Sequence, residues 1–247
     1  MNLTGNTIFI TGGGSGIGRG LAEALHERGN QVIISGRRKS HLEATTKANP
    51  GMASVELDLQ DAKSIASIAK KVITQYPRLN VLINNGGIMQ LDGAAGIVDD
   101  AVLVSTVNTN LLGTIRVTSA FMEHLKKQPA ATIVYNTSVL AFVPMAATSV
   151  YSATKAALHS YVLSQRFKLR GTPVKVLELA PPWVRTDLMN SREAEAAMPL
   201  DEFIHGAMTQ LGTDAEEILV GNASLFRRNA GPDEGAFVAE FNASVPF

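Results

Sequence analysis

The stretch Thr11-Gly12-Gly13-Gly14-Ser15-Gly16-Ile17-Gly18 decides the fold of this chain. It begins at the last residue of the β-branched run 7–11 and precedes an amphipathic run at 19–28. This is the order of a buried strand, a turn and a helix. Glycine lets the backbone approach a pyrophosphate closely, and the N–H groups at the start of a helix attract its negative charge. The stretch therefore predicts a dinucleotide-binding turn with the spacing G-x-x-x-G-x-G, and a flexible loop is the alternative. The predicted contacts are Gly12, Ser15, Gly16, Ile17 and Gly18.

Short β-branched runs alternate with longer helical patterns over the rest of the chain. These runs lie at 7–11, 31–35, 53–57, 81–84, 132–136 and 174–179. Apolar strands separated by helices favour a parallel sheet that is covered by helices on both faces. The sequence therefore predicts a single α/β domain over 1–247, a doubly wound parallel sheet of Rossmann type with six or seven strands.

The C-terminal third departs from this alternation in three places. The segment 187–212 is rich in Met, Ala and Glu, and we interpret it as a substrate lid. Thr213 and Glu216 have the spacing of a capping box, which predicts the start of a late helix. The tail 234–242 resembles a helix more than a strand, so the sheet is expected to have six strands if none forms there.

The composition limits the classes of function. Lys plus Arg and Asp plus Glu both number 22, so the chain lacks the one-sided positive charge that nucleic-acid binding needs. The chain has no cysteine for disulfides or thiolate sites, and its five histidines lack the spacing of metal ligands. No apolar run reaches the roughly 18 residues that span a bilayer, and no signal peptide is recognisable after Met1. We therefore expect a cytoplasmic protein without a metal, nucleic-acid or membrane partner.

The end of the second strand run, Ser35-Gly36-Arg37-Arg38, indicates which dinucleotide is bound. Proteins that bind NAD carry an acidic residue about 20 positions beyond the glycine turn, where it holds the ribose 2′-hydroxyl. Here no carboxylate occurs between Ser35 and Glu43. The guanidinium groups of Arg37 and Arg38 can instead pair with a 2′-phosphate. The sequence predicts NADP(H), bound through Arg37 first and Arg38 second. NAD(H) is the alternative cofactor, and an exposed basic turn is the alternative interpretation.

Tyr151-Ser152-Ala153-Thr154-Lys155 places a phenol and an ammonium group four residues apart, on one face of a predicted helix. Lowering the pKa of a phenol from about 10 to about 7 takes about 4 kcal/mol, which a close lysine and an oxidised nicotinamide can supply. Ser138 follows the run 132–136 at the carboxyl edge of the sheet, where its hydroxyl can hydrogen-bond a substrate carbonyl. The pattern predicts that Tyr151 donates a proton to that oxygen. A packed tyrosine beside a solvated lysine is the alternative.

Together these motifs resemble the short-chain dehydrogenase/reductase family over the range 5–190. Asp58 in Asp58-Leu59 matches the family's adenine-ring aspartate, and Asn84-Asn85-Gly86-Gly87 matches its Asn-Asn-Ala-Gly motif, with Gly86 in place of alanine. Asn110 matches its structural and proton-relay asparagine, although Asn108 lies two residues away. Pro181-Pro182-Trp183-Val184-Arg185-Thr186 corresponds to its Pro-Gly-x-Val-x-Thr segment over the nicotinamide.

The resemblance implies a Rossmann-type fold and hydride transfer between a nicotinamide cofactor and a substrate carbon. Tyr151 would be the general acid or base, Lys155 would hold the nicotinamide ribose and lower the pKa of Tyr151, and Ser138 would polarise the carbonyl. Asn110 would hold the water that links Lys155 to solvent. The further implied cofactor contacts are Asp58, Leu59, Asn85, Gly86, Tyr151, Lys155, Pro181, Val184 and Thr186. A homodimer through helices around 106–126 and 151–170, or a homotetramer, is the expected assembly.

The residues expected to line the substrate pocket are mostly apolar. They are Leu140, Phe142, Met145, Trp183, Leu188 and Met189. Apart from Arg185 no basic residue offers a clamp for a carboxylate or phosphate, so we expect a small uncharged ketone or secondary alcohol as substrate. Core packing is the alternative for Trp183. A regulator that binds the cofactor without chemistry, and a family epimerase or dehydratase, are the alternative functions.

Overall fold

The computed structural model describes residues 1–227 and 231–245. Within these residues, seven parallel strands form one sheet in the order β3-β2-β1-β4-β5-β6-β7. The strands are β1 Thr7–Thr11, β2 Gln31–Gly36, β3 Ala53–Glu56, β4 Leu79–Asn84, β5 Ala131–Asn136, β6 Val174–Leu179 and β7 Glu217–Ile218. The strand order reverses between β1 and β4, so the prediction of a doubly wound Rossmann-type sheet is confirmed.

Helices cover both faces of this sheet. They are α1 Gly16–His26, α2 Lys39–Ala48, α3 Ala62–Gln75, α4 Asp100–Val107, α5 Thr114–Leu125, α6 Ser149–Lys168, α7 Leu200–Leu211, α8 Ala223–Arg227 and α9 Glu234–Ser244. On one face, α1 and α7 bury Leu21 and Phe203 against strand residues such as Ile10. On the other face, α3, α5 and α6 pack over Phe9, whose ring stacks on Phe121 at 5.0 Å. Both faces of the sheet are thus covered, and the carboxyl ends of its strands are where ligands bind in folds of this kind.

The C-terminal third contains a strand that the sequence pattern did not predict. Strand β7 pairs with β6 at Glu178↔Glu217 and Leu179↔Ile218, ahead of the tail. The tail itself forms α9, so its helical character is confirmed. The sheet has seven strands, within the predicted six or seven, because the seventh strand forms ahead of the tail. The capping box at Thr213 is wrong, because its hydroxyl accepts a bond from the Ala215 N–H in a turn that leads into β7. Pairing with the exposed edge of β6 determines the structure there.

The predicted lid at 187–212 divides into two parts with different surroundings. Its first part contains the 3₁₀ helix Leu188–Glu193 and borders the large cleft described below. Met189 and Asn190 adopt left-handed φ values of 55° and 53°, which non-glycine residues rarely occupy. Its second part is α7, which is buried against α1 and belongs to the core. Only 187–199 therefore remains a candidate lid.

Two further properties concern membranes and metals. Among the residues described, no helix is both long enough and apolar enough to cross a bilayer. The same residues contain no group of three or more histidine, aspartate or glutamate side chains that could hold a metal ion.

Candidate active site

A single cleft of about 860 Å³ lies at the carboxyl end of the sheet. Its walls come from the residues at the ends of successive strands, among them Thr11, Ser35, Asn85, Ser138 and Pro181. Its volume lies at the upper end of the range of small-molecule and cofactor pockets. The topology therefore brings the sequence motifs, which lie up to 170 residues apart, to one place.

The glycine turn forms one end of the cleft. Gly12 has φ +68°, and a Cβ on it would lie 2.8 Å from the Cα of Gly86, so only glycine fits between β1 and the segment after β4. Helix α1 begins at Gly16, and within the described structure its first turn has neither an acidic residue nor a side-chain cap. Gly12, Ser15, Gly16 and Ile17 line the cleft as predicted, whereas Gly18 does not. A Cβ on Gly18 would lie 2.3 Å from the Gly12 carbonyl oxygen, so Gly18 serves close packing instead.

Arg37 and Arg38 lie beside this turn, together with His41 of α2. The guanidinium of Arg38 donates a hydrogen bond of 2.9 Å to the hydroxyl of Ser15. Of the predicted cofactor residues further along the cleft, Asp58, Leu59, Asn85, Gly86, Pro181, Val184 and Thr186 also line it. This end of the cleft therefore combines uncapped N–H groups with two permanent positive charges.

Asparagine side chains join the glycine turn to the centre of the cleft. The Asn85 amide donates to the carbonyl oxygen of Thr11 at 3.1 Å, and its oxygen accepts a bond of 2.7 Å from the Asn136 amide. The hydroxyl of Thr11 accepts hydrogen bonds from the N–H groups of Asn85 and Gly86, each at 3.0 Å. The segment after β4 is thereby held against the end of β1.

Ser138, Tyr151 and Lys155 meet at the centre of the cleft and are all buried. The start of α6 is fixed by Asp92, whose carboxylate accepts hydrogen bonds from the Ser149 hydroxyl and, at 2.8 Å, from the Val150 N–H. The Lys155 ammonium donates to the Asn136 carbonyl oxygen at 2.8 Å and lies 5.4 Å from the centre of the Tyr151 ring. The predicted phenol, ammonium and hydroxyl are thus brought together.

The ionisation of the two groups on α6 is set mainly by burial. Burial raises the pKa of Tyr151 to about 12, against a smaller lowering effect of a hydrogen bond with Ser138. Burial lowers the pKa of Lys155 to about 8, and the negative charge of Glu178 opposes this effect. The shift of Tyr151 is opposite in direction to the lowering that was expected, because desolvation of the phenolate outweighs its polar contacts in this structure. Tyr151 therefore carries its proton at neutral pH.

Asn110 lies behind the cleft rather than in its wall, and it is 1% exposed. It belongs to the π-helical turn Asn108–Gly113, which interrupts the helix between α4 and α5. Its side-chain oxygen accepts a bond of 2.9 Å from the Ile88 N–H, and its amide donates to the Ile88 carbonyl at 2.8 Å. Turns of this kind are frequent at functional sites. Asn110 thus holds the segment after β4 in the position from which Gly87 and Ile88 line the cleft.

The other end of the cleft is mostly apolar. Of the predicted pocket residues, Leu140, Met145, Trp183, Leu188 and Met189 line it. Phe142 does not, which makes that prediction wrong: its ring packs edge-on against His159 at 5.1 Å and lies under the Arg227 guanidinium at 5.0 Å. The indole N–H of Trp183 donates to the Ser191 hydroxyl at 2.8 Å, so Trp183 ties the candidate lid to the segment after β6.

Four apolar side chains that the sequence analysis did not identify also line this end. They are Met89, Phe226, Phe241 and Val245. Phe226 and Phe241 form an edge-on pair with ring centres 5.7 Å apart, and both pack with Leu140, Met145 and Tyr151. The side chain of Asn242 fastens α9 to the loop before α6, donating to the Pro144 carbonyl at 3.0 Å and accepting from the Ala146 N–H. The C-terminal helix therefore closes the apolar end of the cleft.

Comparison with known proteins agrees with this arrangement. Residues 6–197 match the family described as short chain dehydrogenase. The chain belongs to the short-chain dehydrogenase family. Over 189 residues it is 42% identical to the uncharacterized oxidoreductase DltE of Bacillus subtilis (strain 168), a match that covers 76% of this chain and 75% of DltE. The oxidoreductase class that was expected from the motifs is thereby confirmed.

Solved structures of short-chain dehydrogenases have the same fold. One, a short chain dehydrogenase from Burkholderia cenocepacia J2315 in complex with NADP, has a TM-score of 0.86 and 25% identity, with all of both chains covered. Another, a short chain dehydrogenase/reductase from Burkholderia phymatum in complex with NAD, has a TM-score of 0.85 at 18% identity, covering 100% of this chain and 99% of that one. The second similarity concerns the fold alone.

Proposed function

We propose that this protein is an NADP(H)-dependent reductase of a small uncharged ketone, and the dehydrogenase of the corresponding secondary alcohol. The observation that carries the proposal is the meeting of Ser138, Tyr151 and Lys155 in one cleft with the glycine turn and with Arg37 and Arg38. A proton donor, a hydroxyl and a cation at the centre of the cleft, and an anion-binding glycine turn at one end, match the needs of hydride transfer with a nicotinamide dinucleotide.

The chain's own residues fit a dinucleotide. The uncapped start of α1 suits the pyrophosphate, and the close approach of Gly12 to Gly86 leaves the backbone there free of side chains. Arg37 and Arg38 would pair with a 2′-phosphate, and Asp58 and Leu59 would border the adenine. Binding of NADP by the related Burkholderia cenocepacia protein supports this choice. NAD(H) remains the alternative, since the Burkholderia phymatum protein of this fold binds NAD.

When bound, the nicotinamide supplies the hydride that the substrate carbon accepts. Tyr151 then donates its phenolic proton to the carbonyl oxygen, which becomes the hydroxyl of the alcohol. The Ser138 hydroxyl donates a hydrogen bond to the same oxygen and stabilises the charge that develops on it. The Lys155 ammonium stabilises the phenolate left on Tyr151 and would hold the nicotinamide ribose. In the alcohol-oxidising direction the same phenolate accepts the proton.

Asn110 would complete the proton path by holding a water molecule next to Lys155. Both polar atoms of its side chain are engaged by Ile88, so the group available for a water is its backbone carbonyl. That carbonyl accepts a bond of 2.9 Å from the Thr114 hydroxyl and has a second lone pair. The π-helical turn supports this role, because it alters the ordinary helical pairing of the carbonyl groups there.

The apolar walls support an uncharged substrate with an apolar substituent. Leu140, Met145, Phe226 and Phe241 line the same cleft as Tyr151 and form an apolar cluster with it, and on this side of the described cleft no arginine borders the space. The guanidinium of Arg185 is occupied by the carbonyl oxygens of Ala194, Glu195 and Ala197 and does not serve as a clamp. Aryl and branched alkyl ketones therefore suit the site better than keto acids.

We also propose a homodimer, formed through the surfaces of α4, α5 and α6, in the cytoplasm. Leu103, Val104, Leu112, Leu163 and Phe167 are exposed large apolar residues on or between these helices, and Phe167 is 61% exposed. Such a surface is stabilised when a second copy covers it. Light scattering of the purified chain tests this: a dimer mass supports it, a tetramer mass supports the homotetramer that was the alternative expectation, and a monomer contradicts both.

The proposed reaction is tested with a panel of ketones and NADPH, following loss of absorbance of the reduced cofactor. Turnover of aryl ketones at kcat/KM values at least tenfold above those of keto acids of equal size supports the proposal. Equal rates for keto acids would contradict the uncharged substrate class. Tight NADPH binding without turnover on any carbonyl would instead support a regulator.

A further inference from the structure

Strand β6 carries a carboxylate where its pattern calls for an apolar side chain. Val174 and Val176 point into the apolar layer beneath α5 and α6, and Glu178 continues the same alternation. Glu178 is 0% exposed, at the position that pairs with Tyr135 of β5. Burying a carboxylate costs several kcal/mol unless it is well paired. A purely structural site would be as stable with an apolar residue, so the carboxylate needs another explanation.

Both oxygens of Glu178 are held by hydrogen-bond partners. The hydroxyl of Thr137 donates to Oε1 at 2.7 Å, and Nδ1 of His159 lies 2.8 Å from Oε2. The side chain of His159 is 16% exposed, so the pair lies just beneath the surface of α6. The carboxylate is therefore fixed between the end of β5 and the middle of α6.

Both partners of Glu178 are neighbours of the catalytic groups in the chain. Thr137 directly precedes Ser138, and His159 follows Lys155 by four residues on the same face of α6. The negative charge of Glu178 raises the pKa of Lys155 against the larger opposite effect of burial. Glu178 thus acts on the ammonium group without lining the cleft itself.

The other charged groups around Glu178 have partners of their own, although the charge of Glu178 also acts on Arg227, whose pKa it helps to raise. On β7, Glu217 forms a bidentate ion pair with Arg227, with N–O distances of 2.9 and 3.1 Å. Arg166 of α6 lies 3.3 Å from Glu216 and donates to the Val176 carbonyl. On β5, the uncharged hydroxyl of Tyr135 donates to the Gln165 side-chain oxygen at 2.7 Å and lies 3.0 Å from the Thr118 hydroxyl. On α6, Lys155 is therefore the cationic group on which Glu178 acts, and Nδ1 of His159 is its hydrogen-bond partner.

We propose that Glu178, held by Thr137 and His159, is a positioning residue that keeps Lys155 cationic beside Tyr151. This inference rests on the proposed reductase function, in which the ammonium stabilises the Tyr151 phenolate. Glu178 touches neither substrate nor cofactor and acts only through Lys155. Nδ1 of His159 lies within hydrogen-bond distance of the carboxylate and fixes its position.

The decisive variant is Glu178→Gln, which keeps the shape but removes the charge. Its amide oxygen can still accept from Nδ1 of His159, and its amide N–H then donates to the hydroxyl oxygen of Thr137. Lysine labelled with ¹³C and ¹⁵N allows the titration of Lys155 to be followed by NMR in the full chain, with the signal assigned through Lys155→Met. The matched control is Glu217→Gln, which removes a carboxylate from the neighbouring position on β7. We expect the midpoint for Lys155 to fall by about one pH unit in Glu178→Gln and to stay unchanged in Glu217→Gln.

The pH dependence of ketone reduction separates this role from a structural one. With a midpoint lowered by about one unit, kcat/KM of Glu178→Gln falls about fivefold at pH 8 and less than about 1.5-fold at pH 6. An equal loss at both pH values would show a structural role and overturn the proposal, as would an unchanged Lys155 midpoint. If the wild-type protein binds NADPH but reduces no carbonyl, the proposed reductase function fails, and the NMR midpoint still decides whether Glu178 sets the charge of Lys155.

Discussion

Lys155 on α6 donates a hydrogen bond of 2.8 Å from its ammonium group to the backbone carbonyl oxygen of Asn136, the last residue of β5. The side-chain amide of Asn136 donates a hydrogen bond to the side-chain oxygen of Asn85. The amide of Asn85 in turn donates to the carbonyl oxygen of Thr11, at the start of the glycine turn. One line of hydrogen bonds therefore joins the group beside Tyr151 to the turn that is proposed to hold the pyrophosphate. The geometry of both ends depends on it.

Replacing Tyr151 by Phe removes the proposed proton donor and leaves its ring in place. We expect kcat to fall by about 10² to 10⁴, the usual contribution of a positioned general acid, with NADPH affinity changed by less than about threefold. Steady-state turnover and a fluorescence titration of NADPH measure the two quantities. Because burial holds the phenol in its neutral form, stability should change little. Retained turnover with normal cofactor binding would exclude Tyr151 as the acid.

Replacing Lys155 by Met should stabilise the protein while it abolishes turnover. Burial lowers the pKa of Lys155 from 10.5 to about 8, so charging this group costs the folded state about 3 kcal/mol below pH 8. Methionine removes this cost but also loses the hydrogen bond to Asn136, which is worth about 1 kcal/mol. The free energy of unfolding of Lys155→Met should therefore exceed that of the wild type by about 2 kcal/mol at pH 7.

The pH dependence of that gain follows from the sign of the shift. Between about pH 8 and 10.5 the unfolded chain binds the proton that the folded chain has lost, so wild-type stability rises with pH through this window. The advantage of Lys155→Met should accordingly disappear by about pH 10.5. Urea unfolding of the variant and the wild type at pH 7 and pH 10 measures the difference in their free energies of unfolding. A variant that is less stable than the wild type at pH 7 would contradict the account.

Arg37 and Arg38 should determine the choice between the two nicotinamide cofactors. Arg37→Asp replaces a phosphate partner by a carboxylate that can accept hydrogen bonds from a ribose, so kcat/KM for NADPH should fall by about 10 to 100-fold while that for NADH rises. Arg38→Ala should lower kcat/KM for NADPH by a similar factor, and it also removes the hydrogen bond to the Ser15 hydroxyl. Arg28→Asp, an exposed charge change just beyond α1, is the control. An unchanged NADPH-to-NADH ratio in Arg37→Asp would show that Arg37 does not contact the phosphate.

The C-terminal helix should control which ketones are accepted. Phe241→Ala removes one ring of the pair with Phe226, so KM for an aryl ketone should rise about tenfold, in line with the loss of about 1.5 kcal/mol of apolar contact. Asn242→Ala releases the fastening to Pro144 and should have a similar effect. NADPH affinity should remain within twofold in both. Ile97→Ala is the control, because Ile97 is 99% exposed and lies outside both the cleft and the proposed dimer surface; an equal rise in KM there would point to a general loss of structure.

The fold and the centre of the cleft follow from local patterns in the sequence. The glycine turn, the second-strand arginines and the Tyr151–Lys155 spacing each lie within about ten residues, and the parallel sheet brings their strand ends to one edge. Phe142 was assigned wrongly because a 3₁₀ turn at Val139–Ala141 redirects the chain there, so that its ring meets His159 instead of the pocket. The local pattern around Ser138 contains no sign of that turn.

Long-range contacts account for most of what the sequence did not reveal. Phe241 reaches the cleft because Asn242 fastens α9 to a loop 96 residues earlier, and no periodicity in the tail indicates this contact. Strand β7 has two residues and depends on the free edge of β6, which a local pattern cannot represent. The raised pKa of Tyr151 depends on burial, and its degree is set by the whole of the apolar end of the cleft.

The central claim is tested most directly by titrating the purified chain with NADPH and with NADH, and then adding an aryl ketone to each cuvette. The account predicts that NADPH binds at least tenfold more tightly than NADH and is oxidised when the ketone is added, as expected for a 2′-phosphate paired with guanidinium groups. Tight binding without oxidation on any carbonyl would contradict the reductase function. Preference for NADH would contradict the assignment of Arg37 and Arg38.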